Sequence, residues 1–269
     1  MRYQTIETRM DGHVGVLAFA RERVLNAFNA TLIEEVNAAM AGFAADEAVR
    51  AVLVHGKGRA FSAGFDLEES SASAEASVEQ WRAVLERDFD FIMQFWDHPK
   101  PTVAAVHGFC LAGAFELALA CDLTVAAEGT RFGEPEVRFG AGIVAMLLPW
   151  SVGPKRAKEL ILTGTDRVSA EEAFAMGAVN RVVPADAVLD QGLRLAQQIA
   201  AAAAPAVCAS KRAINRSYDI MGMRQALLAA LETDILISAG GGPEKAEFNR
   251  IKREQGLKAA LAWRDAKFR

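Results

Sequence analysis

Short β-branched segments alternate with longer amphipathic segments in the first half of the chain, and this alternation restricts the possible folds most. The strands are predicted over residues 14–19, 51–55, 102–106 and 123–127. Two helices are predicted between them, over residues 32–43 and 77–96, because apolar residues recur there at three- and four-residue spacing. Strand, helix and strand in this order favour parallel pairing, so we expect an α/β core.

The second half of the chain is predicted to be almost entirely helical. Amphipathic segments follow one another closely and are predicted as helices over residues 155–162, 170–176, 187–203, 205–218 and 223–237. The triplet Gly240-Gly241-Gly242 then interrupts the pattern before a last helical stretch and a basic tail. The apolar face over residues 223–237, with Leu227, Leu228, Leu231, Ile235 and Leu236, exceeds what a single core needs and predicts an oligomer.

Charge and composition exclude several classes of partner. The chain has 269 residues, 52% of them hydrophobic, with 30 Lys and Arg against 34 Asp and Glu. This acidic balance gives no general attraction to nucleic acid or to an anionic membrane. The longest uncharged stretches, 101–115 and 139–154, are shorter than the ~20 residues of a spanning helix. We therefore expect a soluble cytoplasmic protein that binds neither nucleic acid nor membrane.

The three cysteines show neither metal-ligand nor redox spacing. Cys110, Cys121 and Cys208 cannot all pair within one chain, so we expect reduced thiols. No other cluster of ligand residues has a metal-binding spacing, and we expect no metal site.

Two glycine-rich turns follow predicted strands, over residues 56–67 and 107–117. Neither matches a dinucleotide-binding or P-loop sequence. A glycine at the start of a helix lets a ligand approach backbone amides that have no intrahelical partner. If the two turns are close in space, their amides could hold one oxygen as an oxyanion hole. Taken alone, each turn is better explained as a structural connection.

Two glutamates lie where charge is costly. Glu116 interrupts an otherwise apolar helix, and Glu136 follows in a turn twenty residues later. Burying a carboxylate without a partner is unfavourable, so a catalytic use of Glu116 is one explanation. Two carboxyls at one pocket could share acid and base work. The alternative is that Glu116 pairs locally and that Glu136 is a solvated turn residue.

Taken together and in order, these motifs resemble the enoyl-CoA hydratase/isomerase (crotonase) superfamily. The resemblance rests on Phe61-Ser62-Ala63-Gly64-Phe65-Asp66-Leu67, on Gly113-Ala114-Phe115-Glu116-Leu117-Ala118 and on Cys121-Asp122, and it covers nearly the whole chain. It implies a crotonase-like spiral of ββα turns with a C-terminal helical trimerisation region. Residues 1–200 would form the α/β core and residues 201–269 the helical oligomerisation region, as a homotrimer or a dimer of trimers.

The resemblance also implies the catalytic residues. The backbone amides of Phe65 and Gly113 correspond to the oxyanion hole, which explains why an apolar side chain occurs at position 65. Glu116 and Glu136 correspond to the two glutamates that flank the substrate double bond in the hydratases. We assign Glu136 as the proton donor and Glu116 as the base that orients water, although the sequence leaves the reverse division open.

Residues of the segment 21–29 and of the first glycine-rich turn resemble the coenzyme A site of the family. They are Arg23, Val24, Leu25, Arg59, Ala63, Gly64, Asp66 and Leu67. The tail Lys267-Phe268-Arg269 resembles one that reaches phosphates, although a frayed terminus is the better explanation of these three residues. Residues 140–146 depart from the Pro-Gly-x-Gly-Gly-Thr pattern usual after the second glutamate. This segment borders the acyl pocket in the family, so an acyl group other than a short straight chain is expected.

The expected function is therefore hydration of an enoyl-CoA thioester. Coenzyme A would be part of the substrate, and no separate cofactor is expected. An isomerase or an acyl-CoA hydrolase on the same fold would use the same oxyanion hole with one essential glutamate. An RNA-binding member of the family is disfavoured by the acidic balance and by the mixed charge of the helices.

Overall fold

The computed structural model describes residues 3–70 and 76–268, and its strands form one large and one small sheet. The strands are β1 (Ile6–Asp11), β2 (Val14–Phe19), β3 (Ala51–Gly56), β4 (Thr102–Val106), β5 (Phe109–Leu111), β6 (Leu123–Ala127), β7 (Arg131–Gly133), β8 (Val168–Ser169) and β9 (Arg181–Val183). The large sheet has the order β1-β2-β3-β4-β6-β9, and β5, β7 and β8 form the small one.

The helices cover both faces of the large sheet and continue to the end of the described chain. They are α1 (Ala30–Ala45), α2 (Leu67–Ser70), α3 (Val78–Asp97), α4 (Gly113–Ala120), α5 (Leu148–Thr163), α6 (Ala170–Ala175), α7 (Val188–Ala201), α8 (Ala204–Ile220), α9 (Met223–Gly240), α10 (Pro243–Gln255) and α11 (Leu257–Ala266). None of those described has both the length and the apolar character that crossing a bilayer requires.

The predicted parallel core is confirmed. Strands β2, β3, β4, β6 and β9 run parallel, and β1 alone joins the large sheet antiparallel, through β2. Alternate strand residues face opposite layers because the side-chain period of a strand is two. Val16, Leu53 and Val103 pack against α7, whereas Leu17, Val52 and Ala104 belong to the larger core that includes α1, α3 and α4.

Local capping fixes where the helices that frame the site begin. The Asn29 side chain accepts a hydrogen bond from the Leu32 amide and begins α1. Ser77 begins α3 with a capping box, in which Ser77 and Gln80 each satisfy the backbone amide of the other. Both starts agree with the predicted helices to within two residues.

Helix α9 belongs partly to the main core of the protein. Leu227, Leu231 and Ile235 are buried in the same cluster as the sheet residues, whereas Leu228 and Leu236 are exposed. Three of the five apolar residues expected to serve an oligomer therefore serve the chain's own core. Helices α10 and α11 fold back over the turn after β7, where the Phe248 ring stacks on Phe139 with centroids 5.2 Å apart.

The cysteines are free thiols. Cys110 and Cys121 are buried and Cys208 is half-buried, and all three are unpaired in the described chain.

Candidate active site

The two glycine-rich turns meet at the wall of a cavity of about 860 Å³. A Cβ atom on Gly64 would lie 3.1 Å from the Gly113 amide nitrogen and 2.8 Å from the Leu111 carbonyl oxygen. Gly64 also has φ +85°, which side chains rarely adopt. Only glycine at position 64 allows the two turns to approach this closely.

The two expected oxyanion donors have free amides. No intramolecular hydrogen bond from the amide of Phe65 or Gly113 occurs within residues 3–70 and 76–268. Gly113 is the first residue of α4, so its N–H has no intrahelical acceptor. The Phe65 ring lies against Gly113, where a Cβ would meet ring carbon Cε2 at 2.4 Å. Both residues line the cavity.

Backbone strain marks the start of α4. Ala112 has φ 57° and ψ −136°, a conformation that costs a residue with a side chain on the order of 1–3 kcal/mol. Its amide donates to the Gly133 carbonyl oxygen at 2.8 Å, which ties the turn to β7. The surrounding structure therefore holds the Gly113 amide in an orientation that an unstrained helix start would not give.

Three buried carboxyls lie together beside these amides. Glu116 of α4, Glu134 after β7, and Glu136 in the 3-10 turn Glu136–Phe139 each place a carboxyl oxygen within 4.8 Å of the other two. Glu116 Oε2 accepts a hydrogen bond from the Ala145 amide at 3.2 Å. Glu136 lines the cavity, whereas Glu116 and Glu134 are not among the lining residues. The structure thus brings the two predicted glutamates together and adds a third.

Burial dominates the acidity of this cluster. The pKa of Glu136 is raised to about 8, mainly by burial; Asp234 also raises it, whereas its own amide, Glu134 and Arg264 lower it. Burial, followed by the charge of Glu136, raises the pKa of Glu116 well above its usual range. Burial therefore favours protonated carboxyls in this cluster at neutral pH, where exposed glutamates are ionised, and the Ala145 amide opposes this effect at Glu116.

Seven of the eight residues predicted to bind coenzyme A line the cavity. Arg23, Val24, Leu25, Arg59, Ala63, Asp66 and Leu67 lie along it, and Gly64 lies beneath the meeting point of the two turns. Asp66 also accepts a hydrogen bond from Arg21 at 3.0 Å, so its carboxylate has a structural partner. Arg23 and Arg59 are the cationic members of this set.

The C-terminal helix supplies a wall that the sequence analysis did not predict. Leu257, Lys258, Leu261 and Arg264 of α11 line the cavity. Beyond α11, the Phe268 ring packs under the Arg138 guanidinium at 4.6 Å, and Lys267 lies over the Trp263 ring. The tail predicted as a phosphate contact thus packs on its own chain, and Arg269 lies outside the described residues.

The segment from residue 140 to 146 borders the cavity beside Glu136. Ala141, Gly142 and Val144 line it, and the Gly142 amide donates to Asp234 of α9 at 3.0 Å. Trp81 and Leu85 of α3 also line the cavity and belong to the same apolar cluster as Val144. These apolar side chains give the cavity a surface against which an acyl chain could pack.

Glu134 is the functional candidate that sequence reasoning missed. It stands two residues before Glu136 in Glu134-Pro135-Glu136, and a second glutamate so close to the first was the available signal. Its complete burial could not be inferred from the pattern, because turn glutamates are usually solvated. The residues of α11 that line the cavity form no sequence motif from which their position could be predicted.

The fold and the site together define a crotonase-type protein, in which two backbone amides and buried carboxyls converge on one cavity. The chain belongs to the enoyl-CoA hydratase/isomerase family, whose model matches residues 9–237. A probable enoyl-CoA hydratase of Rhizobium meliloti is 37% identical over 265 residues, covering 92% of this chain and 99% of the relative.

Solved structures agree with this assignment. A crystal structure of an enoyl-CoA hydratase/isomerase from Xanthobacter autotrophicus is 50% identical, covers 100% of both chains and superposes with a TM-score of 0.97. An enoyl-CoA hydratase from Mycobacterium smegmatis is 26% identical with a TM-score of 0.91, covering 98% of this chain and 94% of the other. The expected crotonase fold, with its C-terminal helical region, is confirmed.

Proposed function

We propose that the protein is an enoyl-CoA hydratase, which adds water across the α,β double bond of an enoyl-CoA thioester. The observation that carries this proposal is the pair of buried glutamates, Glu116 and Glu136, beside two free backbone amides. An enolate needs stabilisation at its oxygen, and hydration needs both a base and an acid at the double bond. Phe65, Gly113 and Glu136 line the cavity, and Glu116 lies within 4.8 Å of Glu136.

The oxyanion hole would act on the thioester oxygen. As water attacks Cβ, electrons of the double bond move towards the carbonyl and negative charge develops on that oxygen. The amides of Phe65 and Gly113 would donate to it, and loss of one such donor costs roughly 2.7–4 kcal/mol of barrier. Since both donors belong to the backbone, the Phe65 side chain is free to pack against Gly113.

The two glutamates would divide the proton transfers. Glu136, with a pKa raised by burial to about 8, carries a proton at neutral pH and would deliver it to Cα. Glu116 Oε1 has no hydrogen-bond donor in the described protein, which leaves it to accept from the attacking water. The Ala145 amide at Glu116 Oε2 stabilises the ionised form of this base. A proton returning from Glu116 to Glu136 then restores the resting state.

Substrate binding would divide the cavity into two parts. The end with Arg23, Arg59 and Lys258 would receive the phosphates of coenzyme A, since these side chains line it with positive charge. The end with Trp81, Leu85 and Val144 would receive the acyl chain. Coenzyme A enters as part of the substrate, and the proposed chemistry needs no further cofactor or metal.

Turnover of a panel of thioesters tests this proposal. The protein is incubated with enoyl-CoA and acyl-CoA esters of different chain length, while enoyl absorbance and free thiol are followed together. Loss of enoyl absorbance without thiol release is the expected result. Thiol release would assign a hydrolase, and a shifted double bond without water addition would assign an isomerase; either result would contradict the hydratase proposal.

A further inference from the structure

Glu134 is a fully buried carboxyl without an N–H or O–H donor in the described protein. Glu134 is 0% exposed, and neither of its carboxyl oxygens has an N–H or O–H donor as a partner. Its backbone is held in place, because its amide donates to the Thr165 carbonyl oxygen at 3.0 Å. A buried group of this kind needs an explanation, since an unsatisfied carboxylate is strongly disfavoured.

The partner of Glu134 is another carboxyl. Glu134 and Glu136 place carboxyl oxygens within 4.8 Å of each other, and Glu116 completes the cluster. Two carboxyls can form a hydrogen bond only if one of them carries a proton, because ionised carboxylates accept and do not donate. Two buried carboxyls this close, without other donors at Glu134, are favoured when one of them is a carboxylic acid.

The surroundings place this proton on Glu134. Burial, followed by the charges of Glu136 and Glu116, raises the pKa of Glu134 well above its usual range. The other groups that face the pair are the neutral Cys110 thiol of β5, Asp234 of α9 and Arg264 of α11. Arg264 favours the ionised form of Glu136, the member that lines the cavity.

We propose that Glu134 is a positioning residue that retains its proton and donates a hydrogen bond to Glu136. This bond holds the Glu136 carboxyl beside the cavity and stabilises the carboxylate that remains when Glu136 gives its proton to Cα. No bond to substrate forms at Glu134 and no proton leaves it. The inference rests on the proposed hydratase function, in which Glu136 is the acid.

Two substitutions separate the hydrogen bond from the charge. Glu134→Gln replaces the O–H donor by an N–H donor and cannot ionise, whereas Glu134→Leu removes the donor in a similar volume. Without a donor, the ionised form of Glu136 is less stable, so its pKa rises. Glu128→Leu makes the same chemical change at an exposed position and is the matched control.

The first measurement is the pH profile of hydration by the four proteins. We expect Glu134→Leu to lower kcat about ten- to a hundredfold with little change in KM, and to move the alkaline limb upward by about one unit. Glu134→Gln should lower kcat less than Glu134→Leu does, and the alkaline limb of its pH profile should lie where it does in the wild type. A merely structural role predicts equal losses in the two variants without movement of the limb. That result would overturn the proposal.

The second measurement does not depend on activity. The infrared difference spectrum of wild type minus Glu134→Gln at neutral pH should contain the carbonyl stretch of a protonated carboxylic acid. Absence of this band while the wild type hydrates enoyl-CoA would overturn the inference and leave the proposed function intact. A wild type that binds but does not hydrate enoyl-CoA would overturn the function itself, whatever the spectrum shows.

Metal binding is the competing use of three clustered carboxyls. Mg²⁺, Ca²⁺ and Mn²⁺ are titrated separately into the wild type and into Glu134→Gln by calorimetry. We expect no binding that depends on Glu134. An ion that binds the wild type, is lost in the variant and is needed for hydration would show that Glu134 is a ligand, and it would contradict a retained proton.

Discussion

At the scale of single residues, the site separates what the backbone does from what the side chain does. Phe65 supplies an amide to the proposed oxyanion hole, while its ring packs against Gly113 and edge-on against Phe28. The same residue can therefore be changed in two independent ways. A substitution that alters only the ring tests packing, and a substitution by proline tests the donor.

We expect Phe65→Pro to abolish turnover, because proline has no N–H to donate. Phe65→Leu keeps the amide and should retain substantial activity, with a moderate loss of stability from the smaller side chain. Steady-state kinetics and binding of a non-reactive acyl-CoA check both variants. An active and folded proline variant would contradict the oxyanion assignment.

The second prediction concerns the two glutamates. Glu116→Gln and Glu136→Gln each keep the side-chain volume but remove proton transfer, so each should lower kcat by about 10²–10⁴-fold. The double variant should be little worse than the poorer single variant, because groups that act as a unit are not additive. Binding of a non-reactive acyl-CoA should change by less than about tenfold. Hydration at a near wild-type rate by either single variant would exclude the two-carboxylate mechanism.

At the scale of secondary-structure elements, a buried ion pair joins α8 to the large sheet. Lys211 of α8 donates to Asp122 at 2.7 Å, and its side chain is 7% exposed. The same Asp122 oxygen accepts from the Thr102 amide at the start of β4 and from the Thr102 hydroxyl. The pair therefore fixes α8 against the strands that lead into the site.

Removing the two partners of this pair should have unequal effects. Asp122→Asn leaves the Lys211 cation buried with carbonyl contacts at 3.3 Å, and should lower the free energy of unfolding by about 3–5 kcal/mol. Lys211→Met should cost less, since Asp122 keeps both Thr102 donors. The double variant should be more stable than Asp122→Asn alone. Urea unfolding of the three proteins checks this order, and equal losses in the two single variants would contradict it.

The elements that sequence patterns predicted are those whose burial produces a pattern. Strands β2, β3, β4 and β6 are buried on both faces, so β-branched runs identify them. Strand β1 is an edge strand with four consecutive exposed residues, and β5, β7 and β8 have at most three residues each. None of these four strands shows an alternation of apolar and polar residues from which a strand could be predicted.

The site was predictable only where its residue types are unusual. A glutamate in the apolar α4 and a glycine between strand and helix are unusual, and Glu116, Gly113 and Phe65 followed from them and from the family resemblance. The strain at Ala112 depends on a hydrogen bond to Gly133 of β7, and the position of Glu134 depends on a hydrogen bond to Thr165. Long-range contacts of this kind leave no local signature in the sequence.

At the scale of the whole molecule, exposed apolar side chains remain after the core is complete. Leu162, Phe174, Ile214, Ile220, Met221 and Leu236 are each more than half exposed. Together with the family resemblance, this surface supports a homotrimer or a dimer of trimers as the assembly. Light scattering should give a mass of three or six chains of 28.9 kDa. A stable monomer at micromolar concentration would contradict the prediction.

The buried carboxyls also give the whole protein a characteristic response to pH. Burial raises the pKa values of Glu116, Glu134 and Glu136 above the ordinary value of 4.5, so the native state retains protons that the unfolded state has lost. Stability then falls as pH rises, by at most about 1.4 kcal/mol per unit for each such group. For Glu136 this loss begins near pH 4.5 and is complete above its folded pKa of about 8.

The last prediction uses Glu134→Gln to isolate one member of this cluster. The variant cannot ionise at position 134, so it lacks the stability loss that the wild-type carboxyl suffers as pH rises from 4.5. The free energy of unfolding of the variant should therefore increase relative to that of the wild type with increasing pH, and the difference should be smallest near pH 4.5. Urea unfolding of both proteins across this range measures the difference, with Glu128→Gln as an exposed control. A difference that is constant with pH would mean that Glu134 titrates in the folded protein as it does in the unfolded chain, and would contradict its retained proton.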